Sequence, residues 1–277
     1  ACMDVDLQSA QDFANIWYIP ASFSSLTDAF QGKHYDLVSV CSPTAYHGET
    51  LKSLADLHQG FVFCEKPIAA DLEDARAMAD IWQGRMVVNY IRRWDAQLQQ
   101  LANEIRSGQY GHLQEATGTY NKGLYNFGSH MVDLLHLLIG EMDVMTAGDP
   151  IADFFEDDAT VSAVLHAAGG RPITLKGTDM RDGGMTFDLE MTFDKAKIVL
   201  GEYSHHLKIE ALDGKVLVDE SLPLNTAMYQ AVENIYQHLT IKEPLLSSEK
   251  NGLKAMEICD QIRQKSVEKN TWSKQNV

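Results

Sequence analysis

Up to about residue 90, short runs of largely apolar, β-branched and aromatic residues alternate with stretches of helical periodicity. Few folds accept that pattern. A strand apolar on both sides must be covered on both faces, and a helix between two such strands supplies cover while returning the chain to begin the next strand parallel to the last. The runs at 36–41 (DLVSVC), 60–64 (GFVFC) and 85–90 (RMVVNY) are of this kind, and residues 1–3 read as the tail of a further strand. Helices are expected at 7–17, 25–31, 45–58 and 72–82, the last with Asp71 as N-cap, and a helix over 95–107 closed by Gly108 ends this half.

From residue 113 the pattern changes to alternating residues joined by turn dipeptides, as antiparallel meanders read. Strands fit 113–120, 160–167, 171–178, 185–193, 195–201, 206–212 and 214–219, with turns at Gly169-Gly170, Asp194-Lys195 and Asp213-Gly214. One strong helix interrupts them at 126–139, helices at 225–240 and 248–267 finish the chain, and residues 142–158 read as a loop. The expected organisation is two domains. Residues 1–112 form a partial α/β, Rossmann-like dinucleotide-binding domain, and residues 113–277 an α+β domain with a mainly antiparallel open sheet that binds substrate and self-associates.

In a doubly wound sheet of strand order 3-2-1-4-5-6 the first strand is central and leads into the glycine-rich turn that meets a cofactor pyrophosphate. Neither is found in residues 1–277. Asp4 nevertheless stands where a second strand would end, the place from which an acidic side chain accepts hydrogen bonds from ribose hydroxyls. Roughly 30 residues, one βα unit and the start of the next strand, are therefore expected ahead of Ala1. The charge on Asp4 would repel a 2′-phosphate, which favours NAD over NADP.

A formal charge of −16 and a pI near 4.9 oppose general affinity for nucleic acid or anionic membranes, which rests on clustered Lys and Arg. No apolar run approaches the roughly 18 residues of a membrane span, and no charged-then-apolar signal segment opens the chain. The four cysteines (Cys2, Cys41, Cys64, Cys259) form no C-x-x-C pair, and three sit in apolar contexts where a thiol behaves as a small hydrophobe. A reducing cytoplasm is expected.

Three segments carry chemistry. VCSPTAYH (residues 40–47) ends a strand in a Ser-Pro-Thr turn before a helix, which puts backbone N–H groups and hydroxyls at the sheet's C-terminal edge. FVFCEKP (residues 61–67) brings Lys66 out at the same edge, where burial and neighbouring charge shift an ammonium pKa. NFGSHMVDLL (residues 126–135) sets Asn126 and His130 one helical turn apart, and 126, 130, 133 and 137 share a face. Taken singly, each has a plain structural explanation: a helix start capped by Thr44, a surface Lys-Pro turn, a satisfied core histidine.

Together, in this order and spacing, the three segments resemble the Gfo/Idh/MocA family of glucose–fructose oxidoreductase and inositol dehydrogenase relatives. The likeness extends to YIRRWD (residues 90–95) and covers nearly the whole chain. It implies NAD-dependent oxidation of a polyol, sugar or nucleotide-sugar. Hydride loss from carbon must be matched by proton loss from oxygen, so a cation near that oxygen stabilises a developing alkoxide, and Lys66 fits the task. By the resemblance the cofactor is met by Asp4, Cys41, Ser42, Pro43, Thr44, His47, Glu65, Lys66, Asn89 and Arg93. Glu65 is placed at the nicotinamide ribose, and Pro67 fixes its turn, with a cis bond before it as an expectation.

Relatives carry Asp-x-x-x-His where this chain has Asn126 and His130. An amide neither exchanges protons nor stabilises imidazolium by charge, so Asn126 is expected to orient substrate hydroxyls, with Lys66 and His130 as acid–base candidates. Tyr120, Lys122 and Tyr125, just before the helix, are candidates to line the sugar pocket. Arg92 and Arg93 either grip a phosphate or carboxylate or stand solvated at a helix start. A metal is not expected: His130, Asp133 and His136 spread over about 600° of helix rotation, and His205 and His206 point to opposite faces of a strand. Two other classes stay open, a hydrolase of this fold that uses NAD transiently and a non-catalytic binding protein. A homodimer or homotetramer through the second-domain sheet is expected, because the helices suffice to cover one sheet face.

Overall fold

The computed structural model describes the backbone of residues 1–275 and side chains as far as Val267. The chain divides into two compact units, Ala1–Val88 and Asn89 onward.

In the first unit β1 (Cys2–Met3) is followed by α1 (Leu7–Ile16), β2 (Ser22–Phe23), α2 (Leu26–Phe30), β3 (Leu37–Val40), α3 (His47–Leu57), β4 (Phe61–Cys64), α4 (Leu72–Ile81) and β5 (Met86–Val88). All strand pairs are parallel. β1 pairs with β2 as a two-stranded sheet, and β3, β4 and β5 form a three-stranded sheet in register Val38↔Val62↔Met86. Val62, Cys64, Met86, Val87 and Val88 are buried, which is why those runs are apolar at consecutive positions. Helix starts are fixed by side-chain oxygens: Asp6 accepts from the N–H of Gln8 and Ser9, Ser25 from Asp28, and Asp71 from Asp74, each such cap being worth about 1 kcal/mol. Trp82 fills the core with its indole N–H donated to Leu51 O at 3.1 Å. β2, two residues long, left no periodic signal.

The second unit opens with a 3₁₀ turn, Ile91–Trp94, and α5 (Ala96–Arg106), then β6 (Leu113–Tyr120), a π-helical turn Gly123–Gly128 and α6 (Ser129–Ile139). There follow β7 (Met142–Ile151), β8 (Thr160–Ala167), β9 (Arg171–Gly177), the short α7 (Met180–Gly183), β10 (Phe187–Phe193), β11 (Ala196–Gly201), β12 (His206–Ala211), β13 (Val216–Ser221), α8 (Ala227–Ile241) and α9 (Glu249–Gln275). The eight strands form one sheet of order β13-β12-β11-β10-β6-β9-β8-β7, antiparallel throughout except for the parallel β6–β9 pair. α6 lays Met131, Leu134, Leu135 and Leu138 into the core, and Gly140, at φ 86°, ends it.

Two expectations are corrected. Part of 142–158 is strand: β7 pairs with β8 through two register shifts, and such bulges erase the period-2 signal. The helix expected from 126 begins as a π turn and becomes α-helical only at Ser129. The first compact unit ends at Val88, upstream of the pattern change at residue 112, because the 3₁₀ turn and α5 pack on α8 and α6; the Trp94 indole donates to Asn234 Oδ1 at 3.3 Å. Among the described residues no helix is long and apolar enough to cross a membrane.

Candidate active site

The C-terminal ends of β3 and β4 lie side by side. β3 runs into Cys41, Ser42 and Pro43, and a 3₁₀ turn, Thr44–Tyr46, leads into α3. Neither helical segment has a side-chain cap, so Thr44 is no N-cap here. His47 is buried at the start of α3, with Nδ1 2.7 Å from Pro67 O and Nε2 2.7 Å from Ser42 O. One imidazole thus spans both turns. The Glu65 N–H donates to Val40 O at 2.9 Å, continuing the β3–β4 ladder, and the Lys66–Pro67 bond is cis, as expected. Glu65 and Lys66 are half-buried, and behind them Pro67, Ile68 and Ala69 are buried.

Polar capacity at this edge suits a dinucleotide. Ser42 Oγ is buried with no hydrogen-bond partner among the described residues, an unmet demand that a bound polar ligand would satisfy. Asp4 follows β1, exposed, its Oδ1 accepting the Asp6 N–H at 2.9 Å. Neither cysteine at this edge offers a nucleophile: burial, then the Glu65 charge, pushes both the Cys41 and the Cys64 thiols up, so neither is a thiolate at neutral pH. Cys41 is exposed and Cys64 buried.

In the second unit His130 lies half-buried on the first turn of α6, and the fully buried Tyr90 ring meets it edge-to-face, centroids 5.6 Å apart at 88°. Burial, and next the Asp133 carboxylate, drives the Tyr90 phenol well above its ordinary value, so it stays neutral. Asn126 sits in the π turn, its amide donating to Lys122 O at 3.2 Å. Lys122, itself at φ 64°, holds its ammonium 4.7 Å from the Phe154 ring centroid and 5.4 Å from that of Phe127. The Tyr125 hydroxyl donates to Asp260 Oδ1 at 3.3 Å.

Residues 1–91 match the family model described as "Oxidoreductase family, NAD-binding Rossmann fold", and residues 117–274 match its companion, "Oxidoreductase family, C-terminal alpha/beta domain". The chain belongs to the Gfo/Idh/MocA oxidoreductase family. Inositol 2-dehydrogenase of Rhizobium meliloti (strain 1021) is 25% identical over 202 residues, 65% of this chain and 61% of the relative. Two further curated relatives are matched over 36% and 30% of their length, so this chain spans less than two thirds of each of the three. Among solved structures, levoglucosan dehydrogenase in complex with NADH and L-sorbose superposes with a TM-score of 0.83 at 17% identity, covering 96% of this chain and 87% of that one. The WlbA dehydrogenase of Bordetella pertussis, in complex with NADH and UDP-GlcNAcA, gives 0.79 at 18%, with 96% and 87% covered. At that identity the likeness is one of fold: a Rossmann unit followed by an α/β unit with a mainly antiparallel sheet.

Two of the residues expected at ligands are buried in this structure. Arg93, expected at the cofactor, is buried, its Nε donating to Asp133 Oδ1 and Oδ2 at 2.8 and 3.0 Å and its Nη2 3.4 Å from His136 Nδ1. Tyr120, expected in the sugar pocket, is fully buried, and its hydroxyl donates to Val161 O at 2.7 Å. Asn89 is also buried, its amide Nδ2 3.5 Å from Met228 Sδ within the second unit. Arg92 is half-buried and held by protein groups. Its guanidinium lies 3.9 Å over the Phe187 ring centroid and donates to Tyr203 O and Ser204 Oγ, bracing a turn in which Glu202, Tyr203 and Ser204 all have positive φ. Burial lowers that guanidinium to about 10, still cationic at neutral pH.

Two kinds of residue escaped sequence reasoning. Tyr90 was readable as an aromatic next to the Arg pair but carried no partner signal. Asp153 and Asp158 lie in the segment that had no period. Among the described residues no group of three or more His, Cys, Asp or Glu could hold a metal ion.

Proposed function

We propose that the chain acts in NAD-dependent oxidation and reduction at a CH–OH carbon of a sugar, polyol or nucleotide-sugar, with the first unit binding the dinucleotide and the second the substrate. The observation that carries this is the Glu65–Lys66–Pro67 turn at the C-terminal end of β4, half-buried and tied through His47 to the Ser42 turn, in a unit of the NAD-binding Rossmann family. The nicotinamide, when bound, supplies the hydride acceptor or donor. Ser42 Oγ and the Asp4 carboxylate would hold its sugar–phosphate portion, and Asp4 favours NAD over the 2′-phosphorylated form.

Lys66 carries the proton chemistry. Its ammonium donates to the substrate oxygen as charge develops there, or takes up the hydroxyl proton in the reverse sense once deprotonated. His130 is the second acid–base candidate, with Asn126 orienting hydroxyls as donor and acceptor. The names of relatives support the substrate class: D-glucoside 3-dehydrogenase of Escherichia coli (strain K12) is 31% identical over 128 residues, 40% of this chain and 36% of the relative.

The test is absorbance at 340 nm with NAD against a panel of polyols, sugars and nucleotide-sugars. Lys66→Ala should lower turnover by about 10²–10⁴-fold with NADH affinity retained, the range over which a positioned acid–base group acts. Undiminished turnover would refute the assignment. Product without net NADH would indicate the hydrolase class, and ligand binding without turnover a binding protein. A Lys66→Ala/His130→Ala variant no slower than the worse single variant would place both residues in one step. Self-association through the outer sheet face, where Thr174, Lys176 and Glu190 are exposed, is proposed with it, and a monomer on gel filtration would overturn that part.

A further inference from the structure

We propose that Asp158 is the positioning residue for Asn126 and His130, and that the segment 153–160 sets the geometry of the substrate-orienting turn; this rests on the dehydrogenase reading given above. A π-helical turn starts with N–H groups that have no partner inside it, and each must be satisfied from elsewhere. Here five consecutive amides are taken by one stretch of chain. Lys122 N–H donates to Asp153 Oδ2 at 2.6 Å, Gly123 N–H to Thr160 Oγ1 at 2.9 Å and Leu124 N–H to Ala159 O at 3.1 Å. Tyr125 N–H and Asn126 N–H then donate to the two oxygens of a single carboxylate, Asp158 Oδ1 at 2.9 Å and Oδ2 at 2.8 Å.

The fit is specific to that carboxylate. Gly123 has φ +90°, and a Cβ there would lie 2.2 Å from Asp158 Oδ2 and 2.7 Å from its Cγ, so a side chain at 123 and the carboxylate exclude each other. Asp153 is fixed in turn, because Oδ2 also accepts the Thr160 hydroxyl at 2.9 Å. On the far side of the turn Ser129 Oγ donates to Tyr125 O at 2.6 Å, so residue 125 is held at both its N–H and its carbonyl. A bidentate carboxylate on two adjacent amides fixes orientation as well as distance, and the side chain oriented is Asn126, with His130 following on the same helical run.

There is also a consequence for charge. The side chain of residue 126 is a neutral amide, and the carboxylate of Asp158 grips the backbone N–H of that same residue. Negative charge is thereby kept beside the turn that leads to His130. Asp158 acts through Asn126 and His130, as a positioning residue.

The test compares wild type with Asp158→Asn in the full chain by two readouts. Amide hydrogen exchange over residues 122–130 should speed up about tenfold or more, since the amide side chain keeps one acceptor and turns an N–H against the other donor. In turnover with NAD and the best substrate found, kcat should fall about tenfold with KM for NAD unchanged, and the pH limb assigned to His130 should move to lower pH as the nearby charge is removed. Unchanged exchange overturns the proposal. So does a fall in turnover with an unmoved pH profile and unmoved exchange. If wild type oxidises nothing, the dehydrogenase reading fails while the exchange arm still decides Asp158. Should Asp158→Asn fail to fold, Asp158→Glu keeps the charge on a side chain too long to enter beside Gly123: faster exchange over 122–130 with a lower kcat and an unmoved pH limb supports the proposal, and unchanged exchange overturns it.

Discussion

Replacing Asp133 with alanine leaves a guanidinium buried without its counter-charge. The Arg93 and Asp133 side chains are 6% and 2% exposed and joined by contacts of 2.8 and 3.0 Å from one Nε to both carboxylate oxygens. Attraction between two such charges barely offsets their joint desolvation, but removing one partner leaves the desolvation of the other uncompensated, a loss of about 3–5 kcal/mol. In a domain of roughly 150–250 residues each kcal/mol moves the melting temperature by about 2–4 °C, so Asp133→Ala should melt about 10 °C below wild type by circular dichroism at 222 nm. Arg93→Met/Asp133→Leu removes both charges at similar volume and should recover most of that loss. A drop of less than about 2 °C for the single variant, or a double variant no better than the single, would show that the pair is not the buried unit described here.

The pair also has a pH signature. Burial raises the Asp133 carboxyl from its ordinary 3.8 to about 6, with Arg93 pulling the other way. The folded chain therefore holds that proton more tightly than the unfolded chain. Between about pH 4 and 6 the stability contributed by Asp133 declines as pH rises, and above that it is constant. The stability gap between wild type and Asp133→Ala should accordingly be wider at pH 4 than at pH 7, and a gap that widens with pH would reverse the assignment.

Tyr120→Phe removes a hydroxyl that both donates to Val161 O and accepts from Val161 N–H, and should cost about 1–3 kcal/mol in chemical denaturation while leaving substrate KM unchanged; a raised KM would return Tyr120 to the substrate pocket. Glu202→Gly relieves one of three consecutive positive-φ residues at an exposed position and should stabilise by up to about 1 kcal/mol, whereas destabilisation would mean that the glutamate side chain holds the turn. Asn126→Asp puts a carboxylate one helical turn before His130 and should move the His130 limb of the pH–rate profile upward, by up to about one unit; a downward move would separate the two residues electrostatically.

How much of this was legible follows from how local each signal is. β3, β4 and β5 were readable because burial on both faces writes itself into consecutive apolar residues, and Asp71 because a cap lies three residues from the N–H it serves. The burial of Tyr120 was legible in its strand. Along β6 the buried positions Ala116 and Tyr120 alternate with Glu115, Thr117 and Thr119, so period 2 already turned Tyr120 inward. Arg93 had a legible clue in Asp133, which shares the inward face of α6 with Leu137. A carboxylate on a buried face requires a cation, and the adjacent Arg92 and Arg93 were candidates to supply one.

Asp158 lay beyond reach for a different reason. Its partners Tyr125 and Asn126 are 33 and 32 residues away, with α6 and the bulged strand β7 between them, and β7 carries no periodicity from which a register could be counted. What sequence offered was Gly123, an unexplained glycine at the mouth of a helix. A glycine there means either positive φ or the close approach of another group, and the structure shows both at once, φ +90° and a carboxylate where a Cβ would stand. Gly123→Ala should therefore reproduce the loss of amide protection over 122–130 expected of Asp158→Asn, because it displaces the same carboxylate without removing it. If alanine is accepted with protection intact, the carboxylate is not what holds the turn, and the positioning role assigned to Asp158 falls with it.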